Sequence, residues 1–339
     1  MIVFFPTYAR RTPSGWQASV AGMVTRPLPE RSRRRALAVA VLKRLLELDD
    51  ADLGTEVFRR RADSFLFQRV AGRRLRVAVG DRVVEVGPSD RSGHFQATFS
   101  FDEAVASAHA PPLAGGCRWL AYTLVPEPEP DESVPETVAT GRIQLVEETG
   151  RSVISDIDDT VKVSNVADRR ELLRNTLLRE FVAVPGMPEV FSRWEAAGIA
   201  FHYASASPWQ LSNCLCSFLN AAGLPAGSMH LKLFRLKDST PLGRLTARKR
   251  SKRRAIEQIM SDFPGRRFTL VGDSGERDPE VYAAVSRRRP EQVAGVLIRR
   301  VPDRAAASHV SLRFDKLARR LPAGLLQTFA DAADLAALP

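Results

Sequence analysis

The sequence predicts two domains in succession. Residues 1–150 form a β-rich, sandwich-like region with one helix. Residues 151–339 form an α/β domain, a parallel sheet with helices on both faces. Three observations predict this. Between Arg74 and Val146, apolar residues recur at every second position in short runs split by Gly, Pro and Asp, as in the strands of a small β-sandwich or barrel. Beyond residue 150, short apolar runs alternate with helical stretches, the rhythm of a covered parallel sheet. Charge divides at the same place: residues 1–150 carry 20 basic and 19 acidic groups, and residues 151–339 carry 30 and 20.

In the first half, Trp16 to Val24 alternates as a strand does. Arg31 to Leu48 follows as a helix, with Leu37, Val41, Leu45 and Leu48 at helical spacing. Its basic start, Arg31 and Arg33 to Arg35, reads as a solvated face in preference to a phosphate-contacting patch. Strands are expected over Leu75–Val79 and Val83–Val86, across the turn Gly80-Asp81. Others are expected over Phe95–Phe101, Trp119–Leu124 and Ile143–Val146. The acidic, proline-rich stretch from Val125 to Asp131 reads as an extended loop.

In the second half, strands are expected at Val153–Ser155, Ile199–Ala204, Phe268–Val271 and Val293–Ile298. Helices are expected at Met187–Ala197, Pro208–Ala221, Lys252–Phe263 and Pro279–Val285. Ligands of such sheets bind beyond the carboxyl ends of the strands, and the polar clusters fall there. Asp156-Ile157-Asp158-Asp159-Thr160 follows the first strand, Ser205-Ala206-Ser207-Pro208-Trp209 the second, and Gly272-Asp273-Ser274-Gly275-Glu276-Arg277-Asp278 the third.

Each residue type suits phosphoryl transfer. Asp156 can attack phosphorus and form an aspartyl-phosphate. Asp158 can protonate the leaving oxygen and later deprotonate water. A carboxylate approaching a phosphate dianion meets repulsion that a magnesium ion offsets. The ion would be held by Asp156, the main-chain carbonyl of Asp158 and Asp273, with Asp278 in support. Ser205 and a lysine would bind phosphoryl oxygens. That lysine is assigned to Lys252, with Lys232 and Lys237 as alternatives and Lys249 in the same basic run. Thr160, Lys162 and Ser207 are expected near substrate. Ser207 could equally cap a helix begun by Pro208. Asp159 reads as a turn acid, Trp209 as packing in preference to a lipid contact, and His202 as core.

The three clusters resemble the haloacid dehalogenase superfamily of phosphohydrolases, and two aspartates in the first favour phosphoryl transfer over dehalogenation. Over residues 150–302, the longer strings Asp156 to Lys162, Ser205 to Trp209 and Gly272 to Tyr282 are similar to the catalytic domain of the actin-patch-associated phosphatidate phosphatase family. A β-rich region ahead of the catalytic domain is also similar to bacterial members. The resemblance implies a haloacid-dehalogenase-like sheet and hydrolysis of phosphatidate to diacylglycerol and phosphate. A non-lipid phosphomonoester is the alternative substrate. The sequence holds no long proline-rich tail like that of fungal members, so no cytoskeletal role is expected.

The interval from Thr160 to Ser205 is too short for a folded cap domain, which leaves room for bulky substrates. The net charge of +11 would suit peripheral contact with an anionic membrane. No nucleic acid is expected, because exposed aromatics are not interleaved with the arginines, and no partner protein can be inferred. Complete acidic motifs argue against a non-catalytic scaffold. No run of eighteen apolar residues occurs and the three cysteines form no metal-site set. A cytoplasmic, reducing setting with free thiols is therefore expected.

Overall fold

The computed structural model describes residues 1–29, 31–46, 49–126, 139–166, 168–232, 241–301 and 307–335. Leu48, Lys237 and residues 127–131 of the acidic loop lie outside the described residues. The chain divides into two compact units. One comprises Met1–Leu53 and Ala62–Glu147, and the other comprises Gly54–Arg61 and Glu148–Pro339. The segment Gly54–Arg61 thus groups with the second unit, although the sequence assigned everything before residue 150 to the first.

The amino-terminal elements, in order, are β1 (Ile2–Phe5), β2 (Thr7–Thr12), β3 (Gly15–Pro27), α1 (Arg33–Leu46), α2 (Asp50–Gly54), α3 (Glu56–Asp63), β4 (Phe67–Arg69), β5 (Leu75–Val79), β6 (Arg82–Val86), β7 (His94–Phe101), α4 (Glu103–His109), β8 (Arg118–Val125) and β9 (Thr140–Val146). The expected alternating strands are present. The short β1 and β2, which the sequence did not announce, pair antiparallel with β3.

The strands expected of a small sandwich or barrel are not split between two separate sheets. They make one connected sheet in the order β1-β3-β2-β9-β8-β5-β6, with β4 and β7 also on β3. At 13 residues, β3 is long enough to pair with β1, β2, β4 and β7. Its twist then carries the sheet around one core. Phe95 and Phe101 from β7 share that core with Val79 of β5 and Val86 of β6. Phe4 meets Phe95 and Tyr122 edge-on at 5.8 and 4.9 Å. In α1, Leu37 is 68% exposed, contrary to its expected place on a packed face.

The second unit is built on β10 (Gly150–Ser155), α5 (Arg169–Leu177), α6 (Met187–Ala196), β11 (Ala200–Pro208), α7 (Ser212–Ala221), β12 (Ser228–Lys232), α8 (Pro241–Asp262), β13 (Arg266–Asp273), α9 (Asp278–Arg288), β14 (Val293–Arg299), α10 (Ala307–Ala318) and β15 (Leu326–Phe329). Its strands form one sheet in the order β12-β11-β10-β13-β14-β15, and every pairing is parallel. The central strands are apolar on both faces, as burial under helices requires. Val153, Ile154, Phe268, Leu270, Val296 and Ile298 are all fully buried.

Two boundaries moved. The helix expected from Pro208 starts at Ser212, because Pro208 closes β11 across a register shift after Ala204. The helix expected from Lys252 begins at Pro241, so Lys252 lies well inside α8. No helix among the described residues is long and apolar enough to cross a membrane.

Candidate active site

Adjacent strands β11, β10 and β13 end side by side, and each carries one motif at its carboxyl end. Asp156 directly follows β10, and its amide extends the ladder to the Val271 carbonyl at 2.9 Å. The chain then folds into a tight turn in which the amides of Val161 and Lys162 both donate to the Ile157 carbonyl at 3.0 Å. Asp159 adopts a left-handed φ of 54°. Its carboxylate accepts the amides of Ser164, Asn165 and Val166 at 2.8, 2.9 and 2.6 Å. Asp159 is therefore the pin of the turn, in keeping with its reading as a turn acid.

Asp156, Asp273 and Asp278 bring carboxylate oxygens within 4.8 Å of one another, and all three are buried. Close approach of Asp278 depends on Gly272, where a Cβ would lie 2.3 Å from Asp278 Oδ2. Lys252, 8% exposed, points its Nζ at Asp156 Oδ1 (2.9 Å) and at Asp278 Oδ1 (2.5 Å). The candidate lysine Lys252 thus pairs with Asp156. The side chain of Lys249 lies outside the described residues.

Burial pushes the Asp156 carboxyl well up, and Asp278, Glu276 and Asp273 add to this against the opposing Lys252. Asp273 is likewise raised, by burial and then by Asp278 and Glu276. Burial disfavours the Lys252 charge, but Asp156 and Asp278 outweigh it and hold the ammonium well above its ordinary value. One ammonium thus faces several crowded carboxylates. Asp273 Oδ1 accepts the amides of Gly275 and Glu276 at 2.6 and 2.9 Å. Asp156 Oδ2 and Asp273 Oδ2 are buried with no hydrogen-bond partner among the described residues. Hard, unsatisfied oxygens in an electronegative pocket fit a divalent cation such as magnesium.

Asp158 stands apart from that cluster. Its Oδ1 lies 2.7 Å from Lys162 Nζ and accepts Ser164 Oγ at 2.6 Å. Its Oδ2 accepts Ser207 Oγ at 2.6 Å and Ser205 Oγ at 3.5 Å. Burial opposes its ionisation, yet Lys162, Ser164 and Ser207 overcome this and bring the carboxyl down to about 2. Ser207 neither caps a helix nor points away from the turn. Its amide donates to Ser205 Oγ at 3.0 Å and its hydroxyl ties β11 to Asp158.

Of the expected catalytic groups, Asp156 pairs with Lys252 and Asp158 with Ser205, and Asp273 and Asp278 join Asp156. The side chain of Asp158 is not in the carboxylate cluster, which leaves only its main-chain carbonyl for the ligand role the sequence suggested. Two of the expected substrate contacts turn inward. Thr160 is fully buried, and Lys162, 2% exposed, is engaged with Asp158. Ser205 and Lys252 line a cavity of about 140 Å³ together with Trp209, His230 and Lys232. Trp209 borders the site, where the sequence favoured packing. His202 is core: fully buried in β11, its Nδ1 lies 2.7 Å from Ser228 Oγ.

Sequence reasoning missed Ser164, which touches Asp158 from six residues away, and His230, which arrives on the unannounced β12. No spacing signal marks either residue. Arg299 was also missed: from the end of β14 its Nη1 donates to the Asp159 carbonyl at 2.8 Å.

Residues 151–300 match the family model described as "Phosphatidate phosphatase APP1, catalytic domain". Phosphatidate phosphatase APP1 of Saccharomyces cerevisiae is 34% identical over 154 residues, covering 44% of this chain and 26% of that protein. An uncharacterized protein of Schizosaccharomyces pombe is 32% identical over 163 residues, covering 47% of this chain and 26% of its own length. The chain thus spans about a quarter of the length of these curated relatives. A solved carbohydrate esterase structure aligns over 94% of this chain and 96% of its own at 10% identity. Its TM-score of 0.25 is too low to bear on the fold. The matched segment runs from the start of β10 to just past β14 and contains every motif residue described above.

Proposed function

Because residues 151–300 match the phosphatidate phosphatase APP1 catalytic-domain model, we propose that this chain is a magnesium-dependent phosphatidate phosphatase with a haloacid-dehalogenase-like catalytic domain over residues 151–339. One observation carries the reading. A buried aspartate at the end of the central strand faces Lys252 and two further carboxylates within 4.8 Å, inside the matched segment. Asp156, Asp273, Asp278 and the Asp158 carbonyl would hold the magnesium ion, which when bound offsets the negative charge of carboxylates and phosphate together.

The chain's own groups then divide the work. The Lys252 ammonium keeps Asp156 oriented and draws in phosphoryl oxygens, and the Ser205 hydroxyl donates to a phosphoryl oxygen. A carboxylate oxygen of Asp156 forms a bond to phosphorus as the bond to the leaving oxygen breaks. Asp158 gives its proton to that oxygen, releasing diacylglycerol. It then takes a proton from the water that attacks phosphorus and frees Asp156 from the phosphate. Asp158 rests as a carboxylate, the form the second step needs. An arriving substrate dianion raises its proton affinity for the first.

The basic surplus of residues 151–339 supports peripheral contact with an anionic membrane, where each surface cation contributes roughly 1 kcal/mol. The test is phosphate release from phosphatidate vesicles and from a panel of soluble phosphomonoesters, with magnesium or with chelator. Vesicle hydrolysis that needs magnesium and disappears in Asp156→Asn is expected. Activity that survives Asp156→Asn would sink the mechanism, and hydrolysis of soluble esters alone would sink the lipid assignment.

A further inference from the structure

We propose that Lys162 is a positioning residue for Asp158, fixing with Ser164 which carboxylate oxygen meets the leaving group. The assignment rests on the phosphatase reading above. Lys162 is 2% exposed, and so long a cationic side chain is buried only where it is paired. Its Nζ lies 2.7 Å from Asp158 Oδ1 and donates to Ser164 Oγ at 2.6 Å. Ser164 Oγ in turn donates to the same Oδ1 at 2.6 Å. The three groups form a closed triangle on one oxygen.

The backbone holds this triangle from both sides. Asp159 donates its amide to the Lys162 carbonyl at 2.7 Å, and Val163 donates to the Val182 carbonyl at 2.9 Å. Extended chain alternates its side chains. Lys162 and Ser164 thus reach Asp158 while Val163 between them is 36% exposed. The Lys162 ammonium also sits 4.6 Å over the Phe181 ring. The Arg61 guanidinium lies 3.5 Å over that ring and donates to the Thr176 carbonyl at 2.8 Å. The seat of Lys162 thus reaches to α3, outside the segment matched by the catalytic-domain family.

With Oδ1 occupied, Oδ2 is the oxygen turned toward Ser205 and Ser207 of β11. It is Oδ2 that passes its proton to the leaving oxygen, which keeps the electron pair of the broken phosphorus–oxygen bond. It is Oδ2 again that takes a proton from water as the water oxygen bonds to phosphorus. A carboxylate free to rotate would lose this alignment, and proton transfer depends steeply on it.

The experiment separates positioning from simple support of the fold. Full-length wild type, Lys162→Met and Ser164→Ala are assayed on a soluble short-chain phosphatidate and on nitrophenyl phosphate. The first expels an alkoxide that needs a proton; the second expels a phenolate that does not. Lys162→Met should lower kcat/KM on phosphatidate, which reports only the step that expels the leaving group, roughly 10-fold or more, with the aryl-ester kcat/KM little changed. Ser164→Ala keeps the ion pair, shifts the same ratio in the same direction by less, and serves if Lys162→Met does not fold. Equal losses of kcat/KM on both esters, or no loss on either ester in both variants, overturn the assignment. A wild type that hydrolyses neither ester removes the phosphatase reading, and this assignment with it.

Discussion

Asp159 illustrates how one residue can govern a site it does not serve chemically. It directly follows Asp158, yet its carboxylate is spent on three consecutive amides. Those amides belong to the segment that delivers Ser164 to Asp158. A hydrogen bond to a charged acceptor contributes ~1.5–3 kcal/mol net, and the positive φ suits Asp or Asn better than Ala. Asp159→Ala should therefore lower unfolding free energy by about 3 kcal/mol, measured by urea denaturation. Asp159→Asn, which keeps one acceptor and tolerates the backbone, should lose less. Equal stability of all three proteins would contradict the pinning role. Asp158 shows the opposite economy: every donor around it was within a few residues of a recognised motif, but only the folded turn reveals which oxygen each one takes.

At the level of elements, the first unit is closed by a latch on α4. Glu103, the first residue of that helix, accepts from Trp16 Nε1 of β3 at 2.8 Å, from Arg118 of β8 at 3.0 Å and from Arg11 of β2. Burial opposes its ionisation, but the Trp16, Arg11 and Arg118 donors prevail and hold the carboxyl at about 2. The folded value lies below the unfolded one. Its contribution is thus complete above the ordinary glutamate value of 4.5 and is lost as pH falls toward about 2. Glu103 remains 43% exposed, so solvent screening limits the effect to about 1 kcal/mol or less. Thermal unfolding of Glu103→Gln from pH 5 to pH 2 should show a shallower acid-side decline than wild type. An identical decline would exclude the latch. Two of the strands that converge on α4, β3 and β8, were legible from their period of two. Their closure into one sheet was not, because pairing partners depend on the length and twist of β3 rather than on any local pattern.

For the molecule as a whole, the acidic cluster is a local source of instability that the proposed cation would relieve. Three carboxylates buried within 4.8 Å of one another repel, and Lys252 compensates only part of that charge. Without metal, Asp273→Asn should raise the thermal midpoint of the unit that carries the site. With saturating magnesium, wild type should gain and the variant should not. Ligand at one hundred times its Kd contributes ~2.7 kcal/mol of linkage, a shift readily seen by calorimetry with and without chelator. A magnesium-independent midpoint in wild type would remove the metal from the site. The proposed reaction class was legible in the order Asp156, Asp158, Ser205, Asp273, because motifs at strand ends are local in sequence and a parallel sheet places those ends together. Helix and strand periods likewise announced both halves of the chain, since burial of an apolar face imposes its period on nearby residues. Other features depended on contacts between distant segments. These are the single wrapped sheet, the grouping of residues 54–61 with the second unit, the inward turn of Thr160 and Lys162, and the triangle on Asp158. Long-range packing and buried charge pairing select them, and neither leaves a periodic trace in the order of residues.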